Sequence, residues 1–222
     1  MTDYIISADK FVADQIRNIK YTDSPKIQSV SDHITIAWDD ILPDPPSNDS
    51  EITKREVLYL SRLTKNRSNS QLDLIKLVDE EPNDLYHKTL KGLNLEFPND
   101  IFQKSWSIIN PVIQNLKNIH NRPRPYQLAD KYGVSINLFD SKTAQTPAYP
   151  SGHTAYAALG ACILAAKYPQ FAEHFFDKVS TAGMARMLMG VHYPSDNEAS
   201  MIITGALWED IRYKLFPELP NF

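Results

Sequence analysis

Residues 154–168 read TAYAALGACILAAKY, and this run limits most strongly what the chain can become. Alanine and leucine dominate it, which favours helix, and it has no charged face until its last turn. A helix that is apolar on nearly all sides has to be covered on nearly all sides, so other elements must pack around it. Pro169 closes the run.

The flanking sequence supplies helices for that purpose. Ser50 is placed to cap a helix through Val57, Leu58, Leu60 and Leu63, whose apolar positions recur at helical intervals. Shorter helices are expected over 71–78 and, after Pro82, over 84–93. A longer amphipathic one is expected over 100–120 through Ile101, Trp106, Ile109, Ile113, Leu116 and Ile119, with Pro111 inside it as a candidate kink. Asn121-Arg122-Pro123-Arg124-Pro125 must end it, because two prolines remove donors and push their preceding residues to extended backbone. Residues 176–189 read as another helix with Gly190 at its end. Ser195-Asp196-Asn197-Glu198 matches a capping box, serine at the N-cap and glutamate at N3, opening a last helix to about residue 216. No alternating strand pattern occurs, and seven glycines are few for a turn-rich sandwich. The expected fold class is all-α. Residues 1–50, which include Leu42-Pro43-Asp44-Pro45-Pro46, are expected to be an irregular N-terminal segment before a single helical domain over 51–222.

A net charge of −4 gives no basis for a nucleic-acid surface. Within this acidic chain a basic cluster spans Lys117 to Arg124, a local contrast that suits a small anion better than a polymer. One cysteine, Cys162, allows neither an intrachain disulfide nor a cysteine-based zinc site. The N-terminus carries acidic residues and no apolar core of a signal peptide, and no apolar run reaches the ~20 residues of a membrane span. The expectation is a soluble, cytoplasmic protein.

Three segments carry groups that could face an anion. In the first, Lys117 lies late on a helix and Arg124 in the proline-bounded turn after it, so both could grip phosphate oxygens; basic residues at a helix C-terminus also simply complement its dipole. In the second, Pro150-Ser151-Gly152-His153 precedes the alanine-rich helix. A helix N-terminus offers unpaired N–H groups, Gly152 permits close approach, the Ser151 hydroxyl could donate and His153 could act as an acid. A plain serine cap explains the same residues. In the third, Arg186 is followed by His192 and Asp196, and the interval lets the carboxylate reach back to the imidazole, fix its tautomer and leave the other nitrogen free to attack. A loop histidine before a helix with an N-terminal acid fits that segment equally well.

In this order the segments resemble the superfamily of type 2 phosphatidic acid phosphatases, bacterial class A acid phosphatases and vanadium-dependent haloperoxidases. Its signature K-x6-R-P, P-S-G-H, S-R-x5-H-x3-D is met by Lys117…Arg124-Pro125, Pro150-Ser151-Gly152-His153 and Arg186…His192…Asp196. A chance ordered match is on the order of one in a million. The resemblance implies a helical bundle of that type and hydrolysis of a small phosphate monoester through a phosphohistidine on His192. Asp196 would hold its imidazole and His153 would serve as acid and then base. Lys117, Arg124, Ser151, Gly152 and Arg186 would bind the phosphoryl oxygens, with no metal required. It leaves two alternatives, a haloperoxidase holding vanadate in the same residues and a non-catalytic phosphate-binding protein. Ala185 replaces the serine of the third motif, so a weaker phosphate contact is expected there. The segment 126–149, with Asp130, Lys131 and Lys142, is expected to form a loop over the site. His120 and Arg122 are expected in a solvated turn, Trp38, Trp106 and Trp208 in packing, and His33, His87 and His174 lack metal-ligand spacing. Oligomeric state is not readable from the sequence.

Overall fold

A computed structural model describes residues 38–219, together with Ile34. His33, most of the segment expected to be irregular, and the side chain of Trp38 lie outside what it describes. Among the described residues the chain is helical and contains no strand. A single turn, α1 (Trp38–Ile41), is followed by α2 (Glu51–Leu63), α3 (Asn69–Glu80), α4 (Asp84–Leu93) and the long α5 (Asn99–His120). The short α6 (Pro125–Leu128) leads through an irregular stretch to α7 (Gly152–Lys167), α8 (Ala172–Leu188) and α9 (Pro194–Leu215). No helix of the described residues is long and apolar enough to cross a membrane.

The alanine-rich segment is α7, and it is the centre of the molecule. It packs against α5, α8 and α9. Its Leu159 and Ile163 meet Ile109, Ile113, Ile203 and Leu207 in one apolar cluster, while Ala157, Ala158 and Ala161 meet Leu85, Tyr86, Phe175 and Val179 in a second. Small side chains let neighbouring helices come close. At Gly160 the Tyr86 ring lies where a side chain would be, since a Cβ built there would stand 2.7 Å from Tyr86 Cε2. The Tyr86 hydroxyl donates to the Ala157 carbonyl at 2.6 Å, so the ring is fixed in that position.

Helix ends follow the local chemistry. The Ser50 side chain accepts from the Thr53 N–H, and Ser68 forms a reciprocal capping box with Gln71. Asn121 ends α5 in the left-handed conformation, φ 44°, with its N–H on the Lys117 carbonyl. One cap differs from the expectation. The last helix starts at Pro194, with Tyr193 as N-cap and Asp196, not Glu198, at N3. Proline is pre-organised for the first helical position and has no N–H to satisfy, so it displaces Ser195 from the cap. Gly190, at φ 82°, makes the turn between α8 and α9; a Cβ there would stand 2.6 Å from Ile136 Cγ2. That turn sets His192 at the head of α9.

Candidate active site

The C-terminal ends of α5 and α8, the N-terminal ends of α7 and α9 and the turn before α6 converge on one cavity of about 170 Å³. Lys117, Arg124, Gly152, His153, Arg186 and His192 all line it. Sequence positions 117 to 192 are thus brought to one place, and Asp196 lies directly behind.

His192 is almost fully buried. Its Nδ1 lies 3.0 Å from Asp196 Oδ2 and its Nε2 lies 2.8 Å from Arg124 Nη1. These partners define the tautomer. A carboxylate only accepts, so Nδ1 carries the proton; a guanidinium only donates, so Nε2 presents its lone pair. Burial, then Arg124, Lys117 and Arg186, push the His192 pKa well below the usual histidine range. The imidazole is therefore neutral, and its Nε2 lone pair accepts from Arg124 beside the cavity.

Asp196 is held in turn. Oδ2 also accepts from the Tyr193 N–H at 2.9 Å, and Oδ1 accepts from Arg122 Nη1 at 2.6 Å. Arg122 bonds Ser195 Oγ at 2.8 Å and Glu56 Oε2 at 3.1 Å, and its guanidinium lies 3.8 Å from the centroid of the Tyr193 ring. Glu56 accepts from the Ser195 N–H at 2.8 Å and from Ser195 Oγ at 2.9 Å. A continuous path of buried hydrogen bonds thus runs from α2 through the turn after α5 to the histidine. The solvated turn expected at 120–122 is corrected: Arg122 is 2 % exposed. His120 packs edge-on against Tyr149, ring centroids 5.0 Å apart. Pro123 holds this turn rigid, so Arg122 points inward as firmly as Arg124.

The cations of the floor are buried too. Lys117 Nζ donates to the Pro147 carbonyl at 2.7 Å, and burial, with Arg124 and Arg186 nearby, drives its pKa well below the usual lysine range. Arg124 donates to the carbonyls of Thr146 at 2.9 Å and Val191 at 2.8 Å. Arg186 Nη1 bonds Asp79 Oδ1 at 2.5 Å and Nη2 bonds Thr143 Oγ1 at 3.2 Å. The Arg186 Nε is buried and has no hydrogen-bond partner. An unsatisfied buried N–H is costly, and an oxyanion oxygen would complete it.

Asp79, from the last turn of α3, had no place in the sequence reading. It also accepts from Ser141 Oγ at 2.8 Å and Thr143 Oγ1 at 2.5 Å, and its Oδ1 lies 4.0 Å from His153 Nε2. The His153 pKa is lowered to about 3, by burial first and Arg186 second, with Asp79 opposing.

Two further expectations change. The Ser151 hydroxyl does not face the cavity. Thr154 Oγ1 donates to Asn197 Oδ1 at 2.8 Å, so the Ser151 proton goes to Thr154 Oγ1 at 3.0 Å while its oxygen caps the Thr154 N–H. Ser151 therefore works by capping the start of α7, which leaves the first-turn residues Gly152 and His153 at the cavity. Ala185 is fully buried in the apolar cluster with Phe175 and Val179 and does not line the cavity, so a hydroxyl there would face the core. Trp106 packs against the core as expected and also lines the cavity; Trp208 is core as expected. Of the segment 126–149, the uncharged Thr143 and Thr146 reach the cavity, while Lys131 pairs with Asp49 and Lys142 is exposed.

A search of curated proteins returns no match. The family model described as the PAP2 superfamily matches residues 106–216, a span that begins at Trp106, holds all three motifs and ends just beyond α9. The chain belongs to the PAP2 superfamily.

Proposed function

We propose that the protein is a metal-independent phosphatase that hydrolyses phosphate monoesters through a phosphohistidine at His192. Membership of the superfamily supports phosphatase- or haloperoxidase-type activity in general. The observation that carries the finer reading is the state of His192: its Nδ1–H is fixed by Asp196, and its Nε2, which accepts from Arg124, lines a cavity shared with three buried cations.

In the proposed reaction Arg124 Nη1 turns its N–H from Nε2 to a phosphoryl oxygen; Nε2 then attacks phosphorus as the bond to the leaving oxygen breaks, and that oxygen takes a proton from His153. Water then attacks phosphorus, giving its proton to His153, and the P–N bond breaks to release phosphate and neutral His192. Lys117, Arg124, the Nε and Nη2 edge of Arg186 and the Gly152 N–H hold the non-bridging oxygens, which carry the charge in the transition state. Asp196 steadies the imidazole, whose charge is neutralised in part by the phosphoryl group bound to it. A bound dianion beside His153 offsets the repulsion from Arg186 and Lys117, so its protonation accompanies substrate binding. With three cations in place the reading calls on no metal ion. We assign the activity to the reducing cytoplasm, where a chain with the lone Cys162 needs no disulfide.

His192→Ala should lower turnover of an aryl phosphate to a trace, while a chelator leaves the wild-type rate unchanged. Retention of more than a trace would contradict the assignment. Bromide oxidation by peroxide after loading with vanadate would replace it with the haloperoxidase reading.

A further inference from the structure

The floor of the cavity accounts for a phosphoryl group; its outer wall is built from different chemistry. Trp106, Asn110 and Gln114 line the cavity from α5 and follow one another at intervals of four residues, with Lys117 three further on. They therefore form a single stripe, and at about 1.5 Å per residue it rises roughly 16 Å from Lys117 to Trp106. Tyr156, from α7, completes the mouth with its ring edge-on to Trp106, centroids 5.0 Å apart at 81°. The Tyr156 hydroxyl donates to Asn83 Oδ1, which fixes this aromatic corner.

The wall carries no charge, whereas the floor holds three cations. A leaving group with a second phosphoryl group would find nothing to pair with it there. An acyl chain would be mismatched in the opposite sense, because two carboxamides sit between the corner and the floor. Gln114 Nε2 donates to Asn110 Oδ1 at 3.2 Å, which leaves the Asn110 amide N–H groups as donors and the Gln114 carbonyl oxygen as an acceptor on this wall.

We propose that the leaving group is an uncharged alcohol bearing a flat ring with a hydrogen-bonding edge, as a nucleoside does. The ring lies against the aromatic corner of Trp106 and Tyr156, and its edge is read by Asn110 and Gln114. This rests on the phosphatase reading of the floor and adds its substrate class. Pyrophosphate, sugar bisphosphates and lipid phosphates are the substrates that the wall disfavours.

The test compares kcat/KM for a nucleoside 5′-monophosphate, glycerol phosphate, inorganic pyrophosphate and phosphatidate in mixed micelles. The wild type should prefer the nucleotide by about tenfold or more. Trp106→Leu and Gln114→Leu should each shrink the nucleotide-to-glycerol phosphate ratio about fivefold or more. Trp106 packs against the core, so Gln114→Leu keeps the test available should the tryptophan variant not fold. A ratio near one in the wild type, a preference for pyrophosphate or phosphatidate, or equal losses on nucleotide and glycerol phosphate in the variants would overturn the proposal. Calorimetry on His192→Ala separates the two readings, because it needs no turnover. Tighter binding of the nucleotide than of inorganic phosphate, about tenfold, upholds the wall's role even if no ester is hydrolysed, and equal affinities reject it.

Discussion

The residues that do most here are buried charges whose partners come from distant parts of the chain. His153 and His192 stay neutral in the folded protein, with His153 lowered from 6.5 to about 3 and His192 moved in the same direction. Unfolding exposes both to water, where they take up protons below about 6.5. The unfolded state therefore binds more protons across the window from 6.5 down to 3, and stability falls as pH falls through it. Asp79, held low chiefly by Thr143 and Arg186 against the effect of burial, acts in the same direction at the acid end. Urea midpoints should drop between pH 7 and pH 4, and His153→Gln should show the smaller drop; a midpoint that does not change over this range would contradict the assignment. The motif residues themselves were legible because spacing alone carries them. Asp79 was not, since its partner Arg186 is 107 positions away and no local pattern encodes that pairing. A trace of it exists: Asp79-Glu80-Glu81 places acids at a helix C-terminus, against the dipole, where a residue needs some other reason to stay. Arg122 is not legible because a basic residue between a helix end and a proline looks solvated, whereas the carboxylates that bury it come from α2 and α9.

Among the elements, α7 does the most work and was the easiest to read. Its apolar circumference demanded cover, and α5, α8 and α9 provide it. How closely they approach depends on single small residues. Gly160→Ala places a methyl group 2.7 Å from the Tyr86 ring, which is buried and hydrogen-bonded and cannot give way freely. The expected loss is about 1–3 kcal/mol of stability from overpacking, read from the shift in urea midpoint. The loss should shrink when Tyr86 is also cut to leucine; an unchanged midpoint in Gly160→Ala would show that the ring is not fixed there. Helix boundaries set by serine caps and prolines agreed with the sequence to within a few residues, because capping is local chemistry. The misplaced start of α9 shows the limit: Ser195 has the right residue type for a cap, but its hydroxyl is bound by Glu56 and Arg122 from elsewhere in the fold.

Taken whole, the molecule is a bundle whose helix ends meet at one polar cavity, and each end brings a different part. Two C-terminal ends bring Lys117 and Arg186, one N-terminal end brings unpaired N–H groups, and another brings the carboxylate behind His192. The part of the chain before Trp106 lies outside the matched family span, yet it supplies Glu56 behind the histidine, Asp79 on the arginine and Pro82 at the mouth. The floor was thus visible in the sequence as a family pattern, whereas the wall and the supports required the fold. The central claim is that Nε2 of His192 is the nucleophile. Rapid quench of the wild type with a labelled aryl phosphate, followed by peptide mapping, tests it most directly. The account expects an acid-labile, alkali-stable label on His192, formed and lost at rates compatible with turnover and absent from His192→Ala. Turnover with no label on the protein, or label on any other residue, would contradict it.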